Sequence, residues 1–396
     1  MFIHMQILPD LFYIGASEGR HPLFENIYPV PNGMSYNSYL FTDEKTALMD
    51  TCDISVREQF LSHLKTALTG RDLDYMVVHH MEPDHAALIG EILTLYPTAQ
   101  LVCTAKTATL FAQFFNRDIS DRTHLVKEGD TLSLGRHTLS FFMAPMVHWP
   151  EVMVSYDATD KILFSADAFG TFGELNGNLF ADKMPFADWL PEARRYYTGI
   201  VGKYGNQVQM LLKKAATLDI QQIFPLHGPL WRKDLNLLIE KYQQWSTYTP
   251  EERGVLIVYG SIYGHTETAA RILTQKLADK GIKSELYDAS KTDVSYLLSA
   301  AFQYSHIVIA SVTYNNGIFP PIEAFLSDLK AHMIKNRKIY FIQNGSWAPA
   351  SGKLMTAMLA DMTGNTLDEQ ILTITSALKP DQDFDLESLA TRISES

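Results

Sequence analysis

Four apolar, β-favouring runs in the first part of the chain each lead into side chains that can hold a metal. DYMVV runs into His79, His80, Glu82, Asp84 and His85. FFMAPMV ends on His148, KILFSA on Asp167 and IFPL on His227. Short apolar runs of this kind predict buried strands. A sheet whose strands deliver ligands at one edge is a way to build a rigid site on fixed elements. A lone histidine after a strand is ordinarily packed or solvated. Four delivery points with mixed imidazole and carboxylate donors predict a metal site instead. Seven ligands (His80, Glu82, Asp84, His85, His148, Asp167 and His227) are too many for one tetrahedral ion, so the pattern predicts two ions. His79 is set aside, because in an extended strand it points away from the side of His80.

A chain of 396 residues is long for a single core, and its clearest seam is the polar stretch WSTYTPEERG around Pro250. The expected domains are therefore 1–249 and 250–396. Before the seam, runs such as NSYLFT, TALMDT and AQLVCT alternate irregularly with helical patterns such as VREQFLSHLKTAL, which predicts an α/β or α+β sandwich. After it, VLIVYG leads to ETAARILTQKLADKG, HIVIAS to IEAFLSDLKAHM, and KIYFIQNG to GKLMTAMLADM. That regular repetition predicts a doubly wound parallel sheet.

Composition removes several function classes. The formal net charge of −12 offers no basic stripe for nucleic acid. The two cysteines, Cys52 and Cys103, form no CxxC, which excludes a disulfide framework and a Cys-ligated iron–sulfur cluster. The start MFIHMQILPD lacks the pattern of a signal peptide, and no run approaches the ~18 apolar residues of a membrane span. A cytoplasmic location is expected.

The loop in VLIVYGSIYGHTETAARIL joins a strand to a helix. Ser261, Ile262, Tyr263, Gly264, His265 and Thr266 would lie at the helix N-terminus, where free N–H groups and the dipole favour a phosphate. No lysine follows as in a Walker loop, and there is no GxGxxG. Hydroxyls and backbone alone suit one terminal phosphate; an ordinary turn is the alternative. Two later loops after strands carry Thr313, Tyr314, Asn315, Asn316 and Gly317, then Ser346, Trp347 and Ala348. Tyr314 and Trp347 beside a phosphate loop are what an isoalloxazine ring would stack on. These segments resemble flavodoxins in order and spacing, which implies FMN.

His80-x-Glu82-x-Asp84-His85, followed by His148, Asp167 and His227, resembles the metallo-β-lactamase fold pattern, whose zinc hydrolases carry His-x-His-x-Asp-His. Glu82 stands where those hydrolases have histidine. A carboxylate adds charge and a hard oxygen donor, which suits iron better than zinc. That replacement is the signature of the flavodiiron proteins, and the resemblance extends over nearly the whole chain. It implies a metallo-β-lactamase-like αββα sandwich followed by a flavodoxin-like parallel sheet. It also implies two iron ions, one held by His80, Glu82 and His148, the other by Asp84, His85 and His227, with Asp167 bridging. The implied activity is reduction of O2 to water, of NO to N2O, or both. FMN re-reduces the iron, an external donor such as rubredoxin supplies electrons, and a head-to-tail homodimer or a dimer of dimers is the working form.

Tyr196 or Tyr197, in ARRYYTGI, is a candidate hydrogen-bond donor to the pocket, with packing as the alternative. An acidic donor needs a local basic patch on so acidic a chain, and Lys335, Arg337 and Lys338 are the candidates, with a solvated turn as the alternative. The rival reading of the whole is a zinc hydrolase fused to a flavodoxin-like module, against which Glu82 argues.

Overall fold

Tyr39 and Phe41 alternate along one strand, Ala47 and Met49 along the next, and the two strands pair antiparallel with Tyr39 opposite Met49. All four side chains enter one buried cluster with Val77 and Val102 of the neighbouring strands. They belong to a seven-stranded sheet ordered Met5–Leu8, Leu11–Tyr13, Tyr39–Thr42, Thr46–Met49, Tyr75–Val77, Gln100–Cys103 and Thr123–Leu125. A five-stranded sheet, ordered Thr131–Ser133, Thr138–Met143, Met153–Asp157, Ile162–Phe164 and Gln222–Phe224, supplies the opposing face. Aromatic rings interleave between them. Phe164 lies 5.3 Å from Tyr39 and 5.6 Å from Phe41, edge to face, and Tyr39 stacks on Phe224 at 5.4 Å. Fully burying each such side chain is worth roughly 1.5–3 kcal/mol, so this seam is a main source of stability. The helix Arg57–Leu68 packs on the strand Tyr39–Thr42 and buries Phe60, Leu64, Ala67 and Leu68.

The computed structural model describes residues 5–19 and 23–396. They divide into one unit that runs to Tyr197 and resumes over Asn206–Gln243, and a second formed by Thr198–Gly205 and Gln244–Ser396.

The second unit contains a six-stranded sheet whose main path is Ser284–Asp288, Glu252–Gly260, Tyr304–Tyr314, Lys338–Asn344 and Thr366–Ile374, every pair parallel. In chain order that is 2-1-3-4-5, the flavodoxin-like arrangement, which places ligands beyond the carboxyl ends of the strands. Val255, Ile257 and Tyr259 pack with Ala269, Leu273 and Leu277 of the helix His265–Asp279 and with Leu386 and Leu389 of the helix Asp383–Glu395.

The structure takes Arg337 out of the candidate basic patch. Arg337 is buried, and its guanidinium donates to the carbonyls of Ala301 at 2.7 Å, Phe302 at 2.7 Å and Tyr248 at 2.8 Å. Carbonyl dipoles satisfy this cation inside the unit, and Lys338 donates to the carbonyl of Ser396. No helix among the described residues is long and apolar enough to cross a membrane.

Candidate metal centre and ligand cavity

The run DYMVVHH stops being a strand at Val77, so His79 and His80 ride on the loop beyond it. Pro83 then opens a short helix, Pro83–Ala86, with Glu82 as its extended N-cap. Proline is pre-set for that first position. The turn carries Asp84 and His85 inward, both buried. The end of the neighbouring strand holds this loop from behind. Asp50, at a left-handed φ of 56°, accepts from the backbone N–H of His79 at 2.7 Å and of His80 at 3.3 Å. Thr51 donates its N–H at 2.9 Å and its hydroxyl at 2.6 Å to the carbonyl of His85.

Two imidazoles are oriented by bonds on their far nitrogens. His80 Nδ1 lies 2.8 Å from Glu151 Oε1, and His227 Nδ1 lies 2.7 Å from the Ser35 carbonyl. A proton held on each Nδ1 leaves Nε2 with a free lone pair aimed at the cluster. Glu151 Oε1 also accepts from the Met81 N–H at 2.9 Å. Gly228 follows His227 at a φ of 77°, and a Cβ there would sit 2.7 Å from Thr171 Cβ, so the loop needs glycine.

The donors form two sets. In one, His148 Nε2 is 2.9 Å and His80 Nε2 3.2 Å from Glu82 Oε2. Asp167 Oδ2 lies 3.2 Å from His148 Nε2 and 3.5 Å from His80 Nε2. In the other, Asp84 Oδ2 is 3.1 Å from His227 Nε2 and 3.3 Å from His85 Nε2, while Asp167 Oδ1 is 3.1 Å from His85 Nε2. Asp167 thus turns one oxygen to each set. Both Asp84 oxygens, His85 Nε2, His227 Nε2 and Asp167 Oδ1 are buried without a hydrogen-bond partner among the described residues. Metal–ligand bonds of about 2.1 Å place neighbouring donors roughly 3.0–3.4 Å apart, so close-set but unbonded lone pairs of this kind fit a pair of metal ions.

The electrostatics demand positive charge. Burial pushes the His80 and His148 imidazoles down, yet the charge of Asp167 on His80 and hydrogen bonds from His148 to Asp167 and Glu82 outweigh it. His80 is held well above its ordinary value and His148 is pushed up to about 9. Burial raises the Glu82 and Asp167 carboxyls. The His148 hydrogen bond on Glu82, and the His85 and His80 charges on Asp167, more than reverse this and hold both well below the carboxylate range. The carboxylates thus favour positive charge at this place, which a bound metal cation would supply.

Aromatic rings enclose the second set. Phe24, Tyr36 and Tyr196 lie 5.3, 5.7 and 5.6 Å from the His227 ring, and Phe172 lies 5.1 Å from Tyr196. The structure separates the two tyrosines. Tyr196 has a buried hydroxyl without a partner among the described residues and feels the Asp167 charge, whereas Tyr197 packs on Tyr242 at 5.1 Å. His79 faces away from the donors, toward Asp50 and Ser155. Sequence reasoning missed Asp50 and Glu151. The latter follows His148 in HWPEV, and an acid so near a candidate ligand was its only signal.

In the second unit a cavity of about 640 Å³ opens beyond the strand ends. Ser261, Ile262, Tyr263, His265, Thr266, Thr313, Tyr314, Asn315, Asn316, Ser346, Trp347 and Ala348 line it as expected. Gly264 and Gly317 do not. Gly264, at a φ of 88°, is the N-cap of the helix, and Gly317 pairs back with Tyr314 in a two-residue strand. Val312, Asn344, Gly345 and Ser376 also line the cavity and were missed. Asn344 is the last residue of its strand and donates to the Ser376 carbonyl at 3.1 Å, a tertiary link that sequence does not announce. Tyr263 and Trp347 are 89% and 87% exposed, so two large flat faces are free to stack on a planar ring. Hydroxyls of Ser261 and Thr266 beside a helix N-terminus, lining one cavity with these aromatic faces, fit FMN.

Comparison with known proteins places residues 34–228 in the family described as ODP family beta lactamase and residues 257–369 in the flavodoxin family. A nitric oxide reductase of Moorella thermoacetica is 30% identical over 357 residues, covering 89% of this chain and 88% of that protein. The rubredoxin oxygen:oxidoreductase structure from Desulfovibrio gigas superposes with a TM-score of 0.94 at 26% identity, covering 99% of this chain and 98% of that one. The flavodiiron protein structure from Giardia intestinalis gives 0.95 at 24% identity, covering 100% and 97%, and shares the fold.

Proposed function

The chain belongs to the flavodiiron proteins, and from that premise we propose that it reduces O2 to water, NO to N2O, or both, at a pair of iron ions served by FMN. The observation that carries this reading is Asp167, whose two oxygens divide between two buried donor sets, with a carboxylate, Glu82, in one of them. Imidazole and carboxylate donors in this ratio suit iron, and a hydrolytic zinc pair has no need of the added charge. His80, Glu82 and His148 would hold one ion, Asp84, His85 and His227 the other, and Asp167 both. When bound, iron would supply electrons and open coordination positions to the gas, and FMN would replace those electrons.

The chain's own residues then have distinct tasks. Glu151 and the Ser35 carbonyl fix the tautomers of His80 and His227. Phe24, Tyr36 and Phe172 wall the site with apolar surface that a small neutral gas enters more readily than water. The Tyr196 phenol is raised well above its ordinary value by burial first and by the Asp167 charge second, so it remains an O–H donor at neutral pH. It would donate to an oxygen of the bound substrate. In the second unit Ser261, His265 and Thr266 would take the FMN phosphate at the helix N-terminus, and Tyr263, Tyr314 and Trp347 the ring. Electrons come from an external donor of the rubredoxin type, and the working form is a head-to-tail homodimer or a dimer of dimers, as the family resemblance implies.

The test is anaerobic reconstitution with iron and FMN, followed by electrode measurement of O2 and NO consumption with a reductant. Two iron ions and one FMN per chain with consumption of either gas are expected. The relative rates fix the preferred substrate. A protein that takes up only zinc, cleaves esters or amides and consumes neither gas would overturn the reading.

A further inference from the structure

His79 lies next to a metal ligand yet belongs to neither donor set. Its side chain is buried, its Nδ1 lies 2.5 Å from Asp50 Oδ2, and its Nε2 lies 2.8 Å from Ser155 Oγ. Asp50 comes from the end of a strand in the seven-stranded sheet, and Ser155 from the middle of a strand in the five-stranded sheet. The backbone of His79 makes the same crossing, since its carbonyl accepts from the Met153 N–H at 3.1 Å. The ring lies nearly parallel to Phe164, 6.5 Å away at 16°. His79 therefore joins the two sheets at the end where the ligands converge.

Asp50 shows what this achieves. It is fully buried, has no lysine or arginine partner among the described residues, and uses Oδ1 for the amides of both His79 and His80. A buried carboxylate holds a loop in place only if it is itself held, because each unmet lone pair is costly. The His79 ring occupies the other oxygen and is braced in turn by Ser155. We propose that His79 is a positioning residue for the metal pair: with Ser155 behind it, it fixes Asp50, and Asp50 fixes the backbone from which His80 reaches the donor set. This rests on the iron-pair reading above.

The experiment uses the full chain loaded with iron and FMN and follows iron loss into excess EDTA. His79→Asn and His79→Gln separate the two contacts, because the Asn amide falls near the place of Nδ1 and the Gln amide near that of Nε2. Outer partners of metal-binding histidines commonly govern affinity about 10–100-fold. The expected order of iron retention is wild type, then H79N, then H79Q and His79→Leu, the last two losing iron roughly tenfold faster or more, with FMN content unchanged. A residue that merely fills space would reverse this order, since Asn leaves the largest void. Should His79→Leu fail to fold, Ser155→Ala removes the brace with little change of volume and should speed iron loss severalfold. Retention in H79Q and S155A within twofold of wild type, or H79N losing iron fastest, would overturn the proposal. Failure of the wild type to take up two iron ions would instead overturn the underlying metal reading.

Discussion

Replacing Tyr196 by Phe tests the proposed site with one oxygen atom. The ring keeps its edge-to-face contact with Phe172 at 5.1 Å and its place beside His227 at 5.6 Å. The hydroxyl has no hydrogen-bond partner among the described residues, so no protein bond is lost, and the unfolding free energy should stay within about 1 kcal/mol of wild type. Turnover is another matter. Removing a preorganised donor from a fully charged oxyanion costs about 100- to 1000-fold. Metal ions held there would share the charge on the substrate oxygen, so the bond would be worth nearer the ~1.5–3 kcal/mol of an ordinary charge-assisted hydrogen bond. That corresponds to a rate loss of roughly 10- to 150-fold. The assay is stopped-flow oxidation of the fully reduced, iron- and FMN-loaded protein by O2 and, separately, by NO. Iron and FMN content should be unchanged. Tyr197→Phe is the control and should leave the rate unaltered, because that ring packs on Tyr242. A Tyr196→Phe rate within twofold of wild type for both gases would refute the reasoning, as would an equal loss in Tyr197→Phe.

Asp167→Ala should abolish gas consumption and lower iron content at both positions while the flavin spectrum stays intact; metal analysis beside a visible spectrum checks it, and normal turnover would sink the bridging role. Trp347→Ala removes an 87% exposed ring from the cavity wall and should weaken FMN binding about 5- to 150-fold, since stacking on an aromatic side chain is worth roughly 1–3 kcal/mol. Release of fluorescent flavin on dilution measures it, and iron content should not change. His137, buried and 2.9 Å from Asp157, gives a pH prediction. Burial lowers its imidazole, but the Asp157 hydrogen bond and charge outweigh that and raise it, while Asp157 is lowered. A raised histidine stabilises fully below its unfolded value of about 6.5 and loses this as pH rises through its folded value; the lowered Asp157 stabilises above about 3.8 and loses this as pH falls. The thermal midpoint gap between wild type and His137→Gln should therefore be widest near pH 5–6 and shrink by pH 8–9; a gap that grows with pH contradicts the pairing.

The candidate metal donors were legible because chemistry and pattern coincide there. Each candidate ligand follows an apolar run, and a buried strand end is where imidazole and carboxylate groups are least expected without a task. The strand–helix alternation after the seam was equally plain, since period-two and 3.6-residue patterns follow one another at regular intervals. Other features depended on contacts between segments far apart in sequence. Arg337 reads as part of a basic turn, yet the carbonyls of Ala301, Phe302 and Tyr248 take it inside. Tyr196 and Tyr197 are indistinguishable as neighbours in a sequence, and only the helix rotation at that point decides which one faces His227.

His80, Glu82, Asp84, His85, His148, Asp167 and His227 could be named from the sequence alone as candidate donors, because residue type and position after apolar runs are local facts. The sharing of Asp167 between two sets, the tautomers of His80 and His227, and the bracing of Asp50 by His79 belong to the tertiary structure. Each of these needs two sheets to meet, and the partner of a buried polar group is chosen by which chain segment lies within about 3 Å of it.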